Sequence, residues 1–223
     1  MFDLENRGDV TSKLLISKFA KKPFLDPDVK YEDSELIEAA DNLEDKIRLY
    51  DSDGRRDWGS IKEAVRSMNI IDSINYFFID NLTVLVASLD SSSANDKLNE
   101  ILSDCRTLCQ ELDITFFLYS HVNPKKGNQV THNHGGRVFP EDFTGSRAME
   151  KWANFSWGLV RNKYAGDSIE RNTMIIDLID VRDQGCYLTA IKTMYDRETV
   201  TLKEIGIKDW TEKEDNGSSK GDF

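Results

Sequence analysis

The sequence predicts a three-layered α/β domain: a mainly parallel sheet covered by helices on both faces, with antiparallel strands added toward its C-terminal end. Three observations predict it. Through the first two thirds of the chain, short apolar runs alternate with amphipathic stretches, the pattern of parallel strands joined by crossover helices. The remainder is strand-rich, with runs at 173–181, 186–195 and 200–205. Finally, Tyr76–Asp80 reads YFFID, a buried strand ending in a lone carboxylate, which must be hydrated, paired or bound to a cation. The 223 residues suffice for one sizeable core, so a single domain over 1–210 is expected. A disordered acidic, polar tail is expected over 211–223.

Each element follows from its own residues. MFDLEN reads as a very short strand ending at Glu5. Asp9 can cap a helix to about Ala20, with Leu14, Leu15 and Phe19 on one face, and Pro23 and Pro27 break it. Ser34 opens a second helix, in which Leu36, Ile37, Ala40, Leu43 and Ile47 recur at helical spacing. IRLYD, followed by the turn signal DSDG, reads as a short strand. Ser60 caps a helix through Met68, and the Asp80 strand comes next. Leu89–Ser93 reads as a polar loop, Ala94–Leu112 as an amphipathic helix and Ile114–Ser120 as a strand. His121–Phe143 is rich in Gly, Asn, His and Lys without periodicity, and a loop that long in a compact domain is usually functional or disordered. Gly145–Asn154 reads as a short helix and Phe155–Arg161 as a strand, before the three strands of the C-terminal part. The aromatic residues Phe77, Phe78, Phe116, Phe117, Trp152, Phe155 and Trp157 are expected in the core.

Composition narrows the function. No apolar run approaches the roughly 18 residues of a membrane span, and the N-terminus lacks a signal-peptide layout. Cys105, Cys109 and Cys186 show no zinc-type spacing, so free thiols in a reducing compartment are expected. A net charge of −11 argues against a surface that coats nucleic acid as a whole. The acidic residues crowd 26–57 and the tail, however, while cationic and polar groups concentrate between His121 and Arg147. A strand gripped by one local loop is compatible with that asymmetry.

The chemistry gathers at strand ends. In nucleotide-hydrolysing α/β domains, the position of Asp80 holds the Mg²⁺ that bridges the terminal phosphates. The companion strand ITFFLYSH ends in His121, so two strands deliver polar groups to one sheet edge, where open α/β sheets bind ligands. His132 and His134 form an HxH pair without a third ligand at a telling spacing, which reads as a solvated loop.

Taken in order, these segments resemble the RecA-type ATPase core of ring-shaped replicative DNA helicases, the DnaB-like and phage primase-helicase group. DLEN resembles that family's strand-end glutamate motif, FFIDN its Walker B strand, and FLYSHVNPKKG its phosphate-sensing strand and DNA loop. DFTGSRAM resembles the Gly-Ser segment before a short helix, LVRNK the strand that follows, VRDQG the arginine-finger turn, and MYDRET a base-stacking tyrosine hairpin. The similarity spans roughly Phe2 to Glu204. It implies a three-layer RecA-like P-loop NTPase core. One part is absent: no G-x-x-x-x-G-K-[ST] occurs, nor any Gly-Lys dipeptide. The resemblance therefore implies an N-terminally truncated, C-terminal portion of a helicase domain, from a split gene, an interrupted reading frame or a shortened sequence.

The resemblance also implies roles. Glu5 acts as general base or water-orienting group, Asp80 holds Mg²⁺, His121 hydrogen-bonds the γ-phosphate, and Arg182 reaches the γ-phosphate of a neighbouring subunit. Arg161 and Tyr195 match positions that sandwich the nucleotide base. Lys125, Lys126, Asn128 and Arg137, with Ser146 and Arg147 at a helix start, contact DNA phosphates. Two positions depart from the family: Thr144 stands where several relatives carry a basic residue, with Arg147 replacing a small one, and Asp180 stands where relatives carry a lysine. Read without the family, each of these residues has an ordinary alternative as a surface charge, a turn residue or sheet-edge packing. The implied cofactors are ATP, or another NTP, and Mg²⁺. The implied partners are single-stranded DNA, further copies in a hexameric ring, the missing N-terminal helicase segment and possible primase, with no membrane. The implied setting is the cytoplasm of a bacterial cell or phage-infected host. The competing expectation is a non-catalytic RecA-like nucleic-acid-binding or helicase-assembly protein. A recombinase-type ATPase is a third, but His121 occupies the position of its usual glutamine.

Overall fold

Short strands and capped helices account for most of the chain in its structure, a computed structural model that describes residues 1–50, 57–182 and 190–210. The expected tail, the Asp183–Gln184–Gly185 turn and Cys186 lie outside the described residues. The N-terminal unit holds three strands, β1 (Phe2–Asp3), β2 (Tyr76–Asp80) and β3 (Thr115–Leu118), paired in parallel in the order β1-β2-β3. Helices α1 (Gly8–Ala20), α2 (Asp33–Glu44) and α3 (Trp58–Asp72) connect β1 to β2, and α4 (Ser91–Leu112) connects β2 to β3. Further on come α5 (Ser146–Trp152), β4 (Phe155–Val160), α6 (Ser168–Asn172), β5 (Thr173–Val181), β6 (Ala190–Asp196) and β7 (Thr201–Lys208).

Local chemistry sets these boundaries. Helices α3 and α4 each begin two or three residues earlier than expected, because an aspartate ahead of the serines is the cap. Asp57 accepts the Ser60 N–H at 2.9 Å, and Asp90 accepts those of Ser92 and Ser93. A carboxylate satisfies the orphan donors of a first helical turn, so Leu89–Ser93 is mostly helix start and not loop. The apolar run after Asp80 is a 3-10 turn over Leu82–Val86, capped by the Asn81 side chain. The expected strand IRLYD is not part of a sheet within its described residues. That segment instead runs beside the N-terminus, with Tyr50 N–H donating to the Met1 carbonyl at 2.9 Å.

The expectation of one mainly parallel sheet is corrected in a specific way. The strands β4-β5-β6-β7 form a separate antiparallel sheet with more described strands than the parallel one. Three-layer cover is not seen for the parallel sheet either. Phe77 and Ile79 on one face of β2 are buried with Ile61 and Val65 of α3 and Leu98, Ile101 and Leu108 of α4. The opposite face carries Tyr76, Phe117 and Tyr119, all at least 43% exposed. On that face Phe78 and Phe117, a cross-strand pair, stack at 4.6 Å. The core reading of the aromatics thus holds for Phe77 and fails for Phe117. It fails also for Phe155 and Trp157, which stand on the outward face of β4 and are 59% and 48% exposed.

Candidate functional site

The carboxyl ends of the three parallel strands gather the polar groups. Asp3 pairs with Asp80 in register, and Leu4 N–H donates to the Asp80 carbonyl. The chain leaving β2 stays tied to that leaving β3, since Leu82 N–H donates to the Tyr119 carbonyl at 2.9 Å. Residues one or two beyond each strand therefore meet. Glu5 Oε1 lies 2.9 Å from His121 Nε2, and Asn81 Nδ2 lies 2.5 Å from the first and 3.1 Å from the second. A bare Nε2 would face a carboxylate, so the favoured tautomer carries the proton on Nε2 and donates it to Glu5. Asn81 is 2% exposed, and its Oδ1 accepts from the Thr83 hydroxyl and the Val84 N–H. With the oxygen committed to the turn, the amide nitrogen must point at Glu5 and His121.

Two organising residues were not anticipated. One is Asn81, which follows the Asp80 signal directly. The other is Asp3. Its carboxylate accepts the N–H groups of Glu5 and Asn6, the Asn6 amide and the Thr11 hydroxyl at 2.6 Å, which pins the turn that presents Glu5. Partial burial pushes the Asp3 pKa up, but the hydrogen bonds from Asn6, Thr11 and Glu5 outweigh it and leave it below the ordinary value. The D-x-x-N spacing of an Asx-type turn was the available signal.

Asp80 has the opposite character. It is half-buried, and its carboxylate accepts no hydrogen bond from the described residues. Burial, then the Asp3 and Glu5 carboxylates, push its pKa up, against the pull of His121. A divalent cation would relieve that repulsion, so the residues fit Mg²⁺, which is commonly held by one or two carboxylates plus phosphates and water. Among the described residues, no group of three or more acid, His or Cys side chains forms a protein-only metal site. Two surface depressions of about 490 and 620 Å³ lie elsewhere and include none of these residues. The acid cluster stands on an open sheet edge.

The other expected residues are dispersed. Lys125, expected to face a strand, is turned inward: its side chain is 4% exposed, paired with Asp142 at 2.5 Å and 4.5 Å from the Phe139 ring. Arg137 is likewise engaged, with Nε 2.8 Å from Asp177 Oδ2 and its guanidinium between Phe139 and Trp210. Lys126, Asn128 and Arg147 are exposed, and Ser146 is the first residue of α5. Both histidines of the HxH pair are tied within the loop, His132 to the Asn123 carbonyl and His134 to Thr131. Arg182 is exposed, with its guanidinium on the Lys151 carbonyl near the C-terminal end of α5. Arg161 and Tyr195 are not brought together. Arg161 lines the larger depression, whereas Tyr195 lines the smaller one, beside α1 and under Lys18.

No family model and no characterised protein matches the sequence. Among solved structures, the chain superimposes on the ATPase domain of a DnaB-like helicase with a TM-score of 0.70 and 17% identity, over 92% of this chain and 73% of that one. At that identity the likeness establishes shared architecture, so the conclusion is one of fold: this chain is built as a RecA-like helicase ATPase domain is built.

Proposed function

We propose that this chain is the C-terminal part of an ATP-dependent replicative DNA helicase, coupling Mg-ATP hydrolysis at subunit interfaces to movement along single-stranded DNA. One observation carries the reading: Glu5, Asp80 and His121 converge at the ends of adjacent parallel strands, in a fold shared with an ATPase domain. Glu5 orients the attacking water and takes its proton. Asn81 fixes the Glu5 carboxylate, and His121, hydrogen-bonded to Glu5, is placed to exchange that partner for a phosphate oxygen. Asp80 is the residue that would hold Mg²⁺, whose charge offsets that of the phosphates. Arg182 serves a nucleotide on a neighbouring copy in a hexameric ring, and Arg161 or Tyr195 supports a base from its own depression. Lys126, Asn128, Ser146 and Arg147 are the positions left for strand contact.

The test is reconstitution. The chain is mixed with a polypeptide that carries a phosphate-binding loop, and DNA-stimulated ATP hydrolysis is measured. Asp80→Ala is expected to abolish turnover, and Glu5→Gln to reduce it about a hundredfold or more. Full activity in the Asp80→Ala mixture would remove the role given to that residue. A second reading, a non-catalytic RecA-like assembly protein, draws on the missing Gly-Lys dipeptide. It predicts strand or ring binding with no hydrolysis in any mixture.

A further inference from the structure

The larger depression has a character the acid cluster lacks. It lies between the 130–137 loop, α6 and one face of the antiparallel sheet, and holds about 620 Å³, within the range of sites for single small-molecule units. Four basic residues from different elements line it, Arg137, Arg161, Lys192 and Lys208, against the acidic Asp167 and Glu170. Both acids are already engaged. Asp167 caps α6 by accepting the Glu170 N–H, and Glu170 accepts the Asn162 amide. In a chain of net charge −11, such a concentration of cations selects an anion.

The walls are built, not incidental. Arg137 is held at Nε by Asp177, which is fully buried, and its guanidinium lies 4.9 Å from the Trp210 ring. Lys208 lies 5.4 Å from the same ring. The Trp210 indole N–H is buried without an acceptor, and a buried unmet donor calls for one. Arg161 spends only its Nε, on the Arg171 carbonyl, and Lys192 has no ion-pair partner among the described residues. Val160, Ile175 and Ile205 supply an apolar floor. The ligand that matches has a negative group, a hydrogen-bond acceptor and a flat apolar body, which is a nucleotide unit.

We propose that this cleft seats a nucleotide unit of single-stranded nucleic acid, its phosphate on Lys192 and Arg161 and its base against Trp210 and Ile175. A strand is favoured over a free nucleotide because the cleft shares no residue with the acid cluster, so a nucleotide bound there is remote from the groups proposed to hydrolyse one. The proposal deepens the strand-binding part of the proposed function and rests on it. It moves the grip from the Lys125 loop tip to the sheet.

The test is binding of a fluorescein-labelled dT12 to the full chain as a function of salt, with Lys192→Ala, Lys126→Ala and Trp210→Phe. Lys192→Ala is expected to weaken binding by about tenfold and to lower the salt slope by about one. Quenching of tryptophan fluorescence by dT12 is expected to be lost in Trp210→Phe. An unchanged affinity and slope in Lys192→Ala, with a loss in Lys126→Ala, would overturn the cleft while leaving the strand-binding function standing. Failure of the unaltered chain to bind dT12 would remove both. Quenching of Trp210 by ATP but not by dT12 would assign the cleft to free nucleotide and sink the strand proposal. Lys192→Gln, with circular dichroism of each variant, separates loss of contact from loss of fold.

Discussion

A carboxylate facing two others without a donor is unfavourable at neutral pH, and Asp80 is in that position. Its pKa is raised in the folded chain, so the sign of its effect on stability is fixed. Below about pH 4 it is protonated in both folded and unfolded states and contributes nothing. As the pH rises, the unfolded chain ionises first, and the penalty is complete once the pH passes the folded value. Asp80→Asn should therefore raise the melting temperature at pH 7 by about 2 °C, with the gain disappearing toward pH 4. Mg²⁺ should stabilise the unaltered chain and not the variant, as read by calorimetry. A variant less stable than the parent at pH 7 would mean that Asp80 already has a partner. Of this neighbourhood, the sequence made Glu5, Asp80 and His121 visible because strand-end position alone implicates them. Asn81 and Asp3 were hidden because their work is holding neighbours, which shows only when the strands are set side by side.

At the scale of elements, helices were legible and the long loop was not. Periodicity marked α1 through α4 to within a few residues, and the errors arose where Asp57 and Asp90 cap in place of the serines that follow. The His121–Phe143 segment gave no pattern, because its order comes from contacts distant in sequence. These include the Lys125–Asp142 pair, the His134–Asn162 bridge and Lys163 N–H on the Asn133 carbonyl. A glycine closes it: Gly136 N–H donates to the Thr131 carbonyl at 3.0 Å, and a Cβ there would stand 2.0 Å from the Val130 carbonyl oxygen. That contact is with backbone and cannot be relieved by a rotamer change. Gly136→Ala should open the 130–137 turn, release Arg137 from Asp177 and cost about 2–4 kcal/mol. Limited proteolysis should then cut within 128–137 in the variant under conditions that leave the parent intact. Equal resistance of the two would show that the turn has room to relax.

The whole molecule is a pair of sheets, each well covered on one side. α3 and α4 cover the parallel sheet, and Val138 packs close enough to Gly158 that a Cβ there would meet it at 2.9 Å on the inner face of β4. Outward, Phe155, Trp157, Leu159 and Ile207 are 48–68% exposed, and register aligns Leu159, Ile176, Ile191 and Ile207 in one row across all four strands. The expectation of helices on both faces rested on this same doubly apolar patterning, so the pattern was read correctly while the second layer is not among the described residues. A face of that kind is larger than the scattered apolar residues of an ordinary surface. It should bind an environment-sensitive dye such as ANS in the native state. Leu159→Ser combined with Ile207→Ser should reduce the dye signal by about half or more while leaving the melting temperature within a few degrees, because neither side chain is buried. If the signal is unchanged and the fold intact, some element covers this face in solution, and the one-sided picture of the antiparallel sheet is wrong.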